Sequence, residues 1–412
     1  MDEPTGFPAR RAALRMLDAV LRRGDTLDTA AGAAKGLPGS DAALARAIAA
    51  EVLRWCTDLD ALIDSATRQI LAEDAKVRTV LRMMLAQTLR MDIAPHAVIA
   101  TGLPLLAGGP RRLAHGVFST LNKRGAALPE VPALPAPVAE RWDRAWGERS
   151  GAIAAGLAAP PPLDLSLRDP AATDEWAKTL DAEILAEGQL RLSRGQAVES
   201  LPGFAEGAWW VQDMAAALPA RLLGRGEGRR VLDLCAAPGG KTMQLAAAGW
   251  EVTALDIAKR RMERLRQNLS RTNLTVDVVV ADALDWSPDR PFDAILLDAP
   301  CTATGTCRRH PDVLHRIAQT QIAAMAELQS QLLAKAATWL RPGGTLVYAT
   351  CSLEPEEGEQ VAQAAALRPA PITADELPGG IAPTDEGWVR TDPGIWPEKG
   401  GMDGFFICRF TA

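Results

Sequence analysis

The chain has 412 residues, too many for one ordinary hydrophobic core, so two or three domains are expected. With 48% hydrophobic and 23% charged residues it reads as soluble and globular, not disordered, and no run of about 18 apolar residues offers a membrane span. The formal net charge of −6 weighs mildly against a nucleic-acid partner, because a phosphate backbone asks for Lys and Arg.

That charge is uneven. The first 128 residues hold 17 Lys and Arg against 13 Asp and Glu, so a formal +4 stands beside −10 for the rest. A positive part next to an acidic one suggests a division of labour, with any grip on nucleic acid placed in the first part; ordinary solvated faces account for the same charges. The opening stretch from Met1 to Arg11 carries Asp2, Glu3 and Pro4 without an apolar segment, which is not a secretory-signal pattern. Six cysteines (56, 235, 301, 307, 351 and 408) form no C-x-x-C pair. Neither a metal site nor a disulfide framework is expected, free thiols suit a reducing cytoplasm, and the reactivity of those thiols becomes the question.

Residues 1–128 are expected to be all helical. Leu14, Leu17 and Leu21 share one helix face, and Val77, Val80, Leu81, Met84, Leu85 and Leu89 share another. Residues 129–205 begin with a spacer bearing Pro129, Pro132, Pro135 and Pro137, continue with an amphipathic segment over 139–157 carrying Trp142 and Trp146, and end in a small mixed α/β element. From 206 to 412 the pattern changes. Short apolar runs at 230–234, 250–256, 276–280, 292–297 and 345–349 alternate with helical stretches at 259–270 and 319–340, and 405–410 is a late strand candidate. Such alternation predicts βαβ units and a parallel sheet covered on both faces.

Val231-Leu-Asp-Leu-Cys-Ala-Ala-Pro-Gly-Gly-Lys-Thr242 reads as a strand, a sharp turn and a helix. Cys235 stands where a Walker loop needs its first Gly, and the dinucleotide fingerprint is absent. Asp256 ends the next strand, placed to bind ribose hydroxyls, and Asp282 follows the third, placed to accept an adenine amino group. Strand-end acids after a glycine turn suit a nucleoside cofactor without phosphate, S-adenosylmethionine rather than a dinucleotide. The run ending Asp298-Ala-Pro-Cys301 and the run ending Thr350-Cys351-Ser352 each deliver a cysteine at a strand's carboxyl end. Either thiol alone reads as a small buried hydrophobe. Together, beside a cofactor cradle, they suit methylation at cytosine C5. C5 is a poor nucleophile until a thiolate adds to C6 and makes it enamine-like, with Asp298 placed to hydrogen-bond the cytosine edge. Residue chemistry alone leaves open which cysteine attacks.

The motifs Asp233-Leu-Cys-Ala-Ala-Pro-Gly-Gly-Lys-Thr242, Asp298-Ala-Pro-Cys301 with Thr304-Gly305 and Arg308-Arg309-His310-Pro311-Asp312, Thr350-Cys-Ser352 with Glu354-Pro-Glu-Glu357, and Asp403-Gly-Phe-Phe406 resemble the Sun/Fmu (RsmB-type) 16S ribosomal RNA 5-methylcytosine methyltransferases. The helical first part looks like the NusB-type RNA-binding domain of such proteins. The resemblance implies an all-α NusB-like domain before a Rossmann-like, seven-stranded, mostly parallel methyltransferase domain. It also implies an enzyme acting on 16S ribosomal RNA, and the chain is further expected to be cytoplasmic, monomeric and without metal. It gives attack to Cys351 and release of methylated RNA to Cys301. It assigns S-adenosylmethionine contacts to Cys235, Ala236, Ala237, Pro238, Gly239, Gly240, Lys241, Asp256, Asp282 and Asp298. Two features depart from the family pattern: Cys307, read as a packing thiol, and the segment Leu165-Ser-Leu-Arg168. A 5-methylcytosine enzyme for transfer or other RNA, and a non-catalytic NusB-like RNA-binding factor, are the competing readings.

Overall fold

The helix Lys76–Arg90 shows how the first part of the chain folds. Its apolar stripe, Val77, Val80, Leu81, Met84 and Leu85, is buried, and so are Arg78 and Arg82. These arginines remain charged because the neighbouring helix, Cys56–Ser65, supplies carboxylates: Arg82 reaches both oxygens of Asp60 at 2.7 and 2.6 Å, and Arg78 lies 2.9 Å from Asp60. A paired guanidinium can be buried where a lone one cannot.

The computed structural model describes residues 4–195 and 197–412. The chain divides into two units, one running up to Ala158 and including Cys307–Ile317, the other comprising Ala159–Thr306 and Ala318–Ala412. In the first unit the helices Phe7–Arg23, Gly39–Arg54, Cys56–Ser65, Lys76–Arg90, Pro95–Gly102 and Gly108–Lys123 surround a core that includes Met16, Leu17, Ile48, Val52, Val80 and Phe118. The segment expected as one amphipathic run over 139–157 forms two helices, Ala136–Trp146 and Arg149–Ala155, because Gly147 takes φ 53° between them. Trp142 is buried. The detached stretch Cys307–Ile317 is tied in by Arg54, which donates to the carbonyls of Arg308 at 2.9 Å and Leu157 at 2.8 Å. The His315 ring also sits 2.7 Å from the Leu53 carbonyl.

The second unit begins with four short antiparallel strands, β1 (Leu163–Leu167), β2 (Glu183–Ala186), β3 (Gln189–Leu192) and β4 (Trp209–Val211), in the order β2-β3-β1-β4. Asp164 and Arg191 face each other across β1 and β3, buried and paired at 2.7 and 2.8 Å, and Asp164 also accepts from the Met214 N–H at 3.0 Å.

The main sheet holds the five apolar runs read from the sequence. They are β5 (Arg230–Leu234), β6 (Glu251–Asp256), β7 (Asp277–Val280), β8 (Phe292–Asp298) and β9 (Leu340–Thr350), all parallel, in the order β9-β8-β5-β6-β7. The helices Gly240–Ala247, Lys259–Thr272 and Gln319–Ala337 make crossovers. The short strands β10 (Arg368–Pro369) and β11 (Val389–Thr391) precede β12 (Phe405–Thr411), which runs antiparallel to β9. β11 lies along 405–407 of β12 and β10 along 410–411, so eight strands fill the seven positions expected. The chain leaves β5 toward β6 on one side and returns to β8 on the other. This reversal of strand order opens a crevice at the carboxyl ends of β5 and β8, where ligands of open α/β sheets bind. Among the described residues no helix is long and apolar enough to cross a membrane.

Removing one partner of the β1–β3 ion pair strands a buried charge. Asp164→Ala is therefore expected to cost about 3–5 kcal/mol in denaturant unfolding, far more than a surface carboxylate change; an unchanged midpoint would refute the pairing.

Candidate active site

At the end of β5 the backbone turns abruptly. Cys235 takes φ 65°, and its N–H and that of Ala236 both donate to the Leu255 carbonyl of β6, at 2.8 and 3.1 Å. Burial, with Asp256, Asp298 and Asp233 nearby, raises the Cys235 thiol well above its ordinary range, so it stays protonated and is no nucleophile. After a cis Ala237–Pro238 peptide, Gly239 takes φ 103°, and a Cβ there would lie 2.9 Å from Leu265. Glycine is required on both grounds.

The helix that follows turns its first residues back to the strands. The Thr242 hydroxyl donates to one oxygen of Asp233, and Lys241 Nζ donates to Asp298 at 2.8 Å. Burial works against the Lys241 ammonium, but Asp298 and then the Cys351 sulfur and Asp233 outweigh it and raise its pKa. The lysine is a fixed positive charge within electrostatic reach of Cys351. Asp233 is fully buried, and among the described residues its Oδ1 has no hydrogen-bond partner. Burial pushes its carboxyl up to about 7 against the Thr242 bond. Asp256 is buried at the end of β6 and accepts from the Ala237 N–H at 3.2 Å, the Ala258 N–H at 2.7 Å and Arg261 at 3.1 Å. Asp282 stands apart beyond β7, exposed, accepting from the Leu284 N–H at 2.9 Å.

β8 and β9 bring the two cysteines together. Asp298 pairs with Ala349 in register, and a few residues on the Cys301 and Cys351 sulfurs are 3.3 Å apart. The hydrogen bond to Cys351, then burial, raises the Cys301 thiol well above its ordinary range. Either sulfur can donate in this contact. Cys56, Cys307 and Cys408 are buried, and burial pushes the Cys56 thiol up to about 11.

The loops after the two cysteines are clamped by groups to which the sequence analysis gives no role, although Ser352 and Glu357 lie within its motifs. Glu357 accepts from the Thr302 N–H at 2.9 Å, the Thr302 hydroxyl, the Ser352 hydroxyl at 2.7 Å and the Gln329 amide at 2.9 Å. Burial raises the Glu357 carboxyl even against these bonds. Gly305 donates to the Cys351 carbonyl at 3.0 Å and accepts from Gly404 at 2.8 Å. The usable signal was a hydroxyl residue directly after each cysteine, Thr302 and Ser352, with Glu357 a few positions on. Asp233 opens one of the quoted motifs, but its place inside a strand gave no sign of a role. Among the described residues no group of three or more His, Cys, Asp or Glu is placed to hold a metal ion.

A family model described as 16S rRNA methyltransferase RsmB/F matches residues 220–411, and a NusB family model matches residues 8–105. Ribosomal RNA small subunit methyltransferase B of Pseudomonas syringae pv. tomato is 34% identical over 398 residues, covering 90% of this chain and 89% of that protein. The protein of the same name from Klebsiella pneumoniae subsp. pneumoniae is 36% identical over 400 residues, 90% of each chain. A crystallised methyltransferase homologue from Pyrococcus horikoshii is 28% identical, with a TM-score of 0.56 over 71% of this chain and 97% of its own.

A Cβ on Gly305 would sit 2.0 Å from the Gly404 carbonyl oxygen and 2.9 Å from that of Cys351, backbone atoms that cannot swing aside. Gly305→Ala is expected to cost about 1–3 kcal/mol by thermal unfolding, and an unaltered midpoint would contradict the close approach.

Proposed function

The chain belongs to the RsmB/F family of 16S ribosomal RNA methyltransferases, and on that premise we propose that it methylates C5 of a cytosine in small-subunit ribosomal RNA through a covalent Cys351–C6 adduct. It is an RNA methyltransferase and its cofactor is S-adenosylmethionine. The observation that carries the finer reading is the pair of sulfurs 3.3 Å apart beside the Lys241–Asp298 ion pair.

The residues around β5 and β6 fit the cofactor. The free oxygen of buried Asp233 suits an ammonium group, the turn from Cys235 to Gly240 with Lys241 allows close backbone approach, and Asp256 stands at the strand end where ribose binds. Asp282, two strands from β5, is assigned to the adenine side.

In the proposed cycle Lys241 favours the thiolate of Cys351, which adds to C6 and opens the C5–C6 double bond. Asp298 hydrogen-bonds the ring edge as charge develops there. Bound S-adenosylmethionine supplies the electrophilic methyl that the activated C5 takes. Cys301 then gives its proton to the departing Cys351 sulfur, and the resulting Cys301 thiolate takes the proton from C5. The C5–H electron pair reforms the double bond as the C6–S bond breaks. Loss of one proton to solvent restores the starting state. The helical part up to residue 128 is assigned a first grip on RNA, and the setting is the cytoplasm.

Cys351→Ala is expected to abolish methyl transfer while RNA binding survives, and Cys301→Ala to accumulate a protein–RNA adduct that migrates slowly on a denaturing gel. Normal turnover in the first variant, or no adduct in the second, would overturn the roles. Bisulfite sequencing of ribosomal RNA with and without the protein identifies the cytosine.

Protonation of Asp233 below about 7 removes the charge offered to the cofactor. Calorimetry with S-adenosylhomocysteine is therefore expected to show affinity falling as pH drops from 8 to 6, by up to about tenfold per pH unit below the pKa. Asp233→Asn should bind weakly with a flat profile; a steep profile retained in that variant would point to another group.

A further inference from the structure

The helix Lys259–Thr272 has a composition its own stability does not explain. Six of the 28 Lys and Arg beyond residue 128 lie in these 14 residues, against one acid, Glu263. Lys259, Arg260 and Arg261 occupy its first turn, which holds no acidic residue. That is the end where the helix dipole is positive and where cations weaken a helix by about 0.3–1 kcal/mol each. An exposed face selected only for solubility or helix stability would put acids there.

Two of the six cations are employed within the fold. Arg261 pairs with Asp256 at 3.1 Å, and Arg271 donates to the Phe204 and Trp209 carbonyls at 2.8 and 3.0 Å. Lys259, Arg260, Arg264 and Arg266 are exposed, and among the described residues none of them is within ion-pair distance of a carboxylate. Met262, Leu265 and Leu269 are buried and set the helix's inner face against Ala236, Ala237 and Met243. Arg260, Arg264 and Asn268 follow one another at i, i+4 and i+8, a single row along the helix. Asn268 ends that row with its amide 3.1 Å from the Pro238 carbonyl of the cofactor turn. The helix starts just beyond the carboxyl end of β6, the sheet edge at which Cys301 and Cys351 also lie.

From this placement we propose that Arg260 and Arg264, with Lys259 and Arg266 flanking them, form a second RNA-docking surface on the catalytic unit. It takes the phosphodiester backbone of the strand whose cytosine enters the site. The inference rests on the RNA methyltransferase reading and adds where the strand runs. The two arginines are about 6 Å apart along the helix axis, comparable with successive phosphates of one strand. The helix N-terminus adds its dipole to theirs. A phosphodiester is the anion that fits: the row is extended, exposed and lacks the enclosing walls that a small anion needs.

The test is an RNA-binding titration with the full-length Arg260→Ala/Arg264→Ala protein at several salt concentrations, using a 16S ribosomal RNA fragment. Arg225→Ala is the control, an exposed cation ahead of β5 at the opposite sheet edge. The expected result is a Kd raised about tenfold or more at low salt. The slope of log affinity against log salt should shallow by about 1.4, the value for two lost phosphate contacts on a single strand. Calorimetric binding of S-adenosylhomocysteine should match the parent, which shows the fold intact. An RNA affinity and slope equal to those of the Arg225→Ala control, with cofactor binding retained, would overturn the proposal. A loss of affinity with an unchanged slope would also overturn it, since the arginines would not then be meeting phosphates. Failure of the C5 reading would appear separately, as absence of 5-methylcytosine in RNA treated with the unaltered protein.

Discussion

Parallel pairing of β8 with β9 is the constraint on which the site depends. Strands that run the same way end on the same edge, so residues 50 positions apart in sequence arrive side by side. An antiparallel partner would have carried Cys351 to the far edge of the sheet. The same rule gathers Asp233 and Asp256, because β5 sits between β8 and β6 and the order reverses around it. The crevice is a consequence of strand order, and its chemistry follows from which residues terminate each strand.

Placing two thiols at one edge does not distinguish them; in the proposed cycle their surroundings do. Cys301 is held as a thiol by its neighbour and by burial, while Lys241, fixed by Asp298, directs positive charge toward Cys351. Glu357 holds the loops that carry both cysteines. Its folded-state pKa is raised, so its stabilising contribution is full below the ordinary glutamate range and is lost as pH rises through the raised value. What it supplies is position: four donors from Thr302, Ser352 and Gln329 converge on it and fix two backbone turns relative to each other.

The legible parts of the molecule were those with a period or an ordered motif. The five parallel strands and the helices of the first part follow from apolar spacing, Cys301, Cys351 and Asp298 are read at strand ends, and Lys241 enters only with the family resemblance. What escaped has a physical reason in each case. Asp233 lies inside an apolar strand, where a carboxylate gives no periodic signal, and its proposed role depends on Thr242 and on burial. Glu357 acts only because Thr302, 55 residues earlier, meets it in space. The annexation of Cys307–Ile317 by the helical unit is likewise a tertiary event: Arg54 and the Leu53 carbonyl are its anchors, and nothing local in the segment announces them. The break at Gly147 was local and visible as a glycine, but an amphipathic pattern on either side concealed it.

Net charge is the weakest of the sequence signals, for a reason of scale. Screening in physiological salt confines an exposed charge to about 8 Å, so a phosphate senses the residues it touches and not the sum over 412 of them. An acidic total and a basic helix are compatible once charge is counted per face. In the second unit the cations that matter are concentrated in a helix whose own dipole opposes them. A local arrangement that a helix would not adopt for its own stability says more about a partner than a global balance does. The −6 of the whole chain therefore says little about RNA, while the first turn of one helix says a good deal.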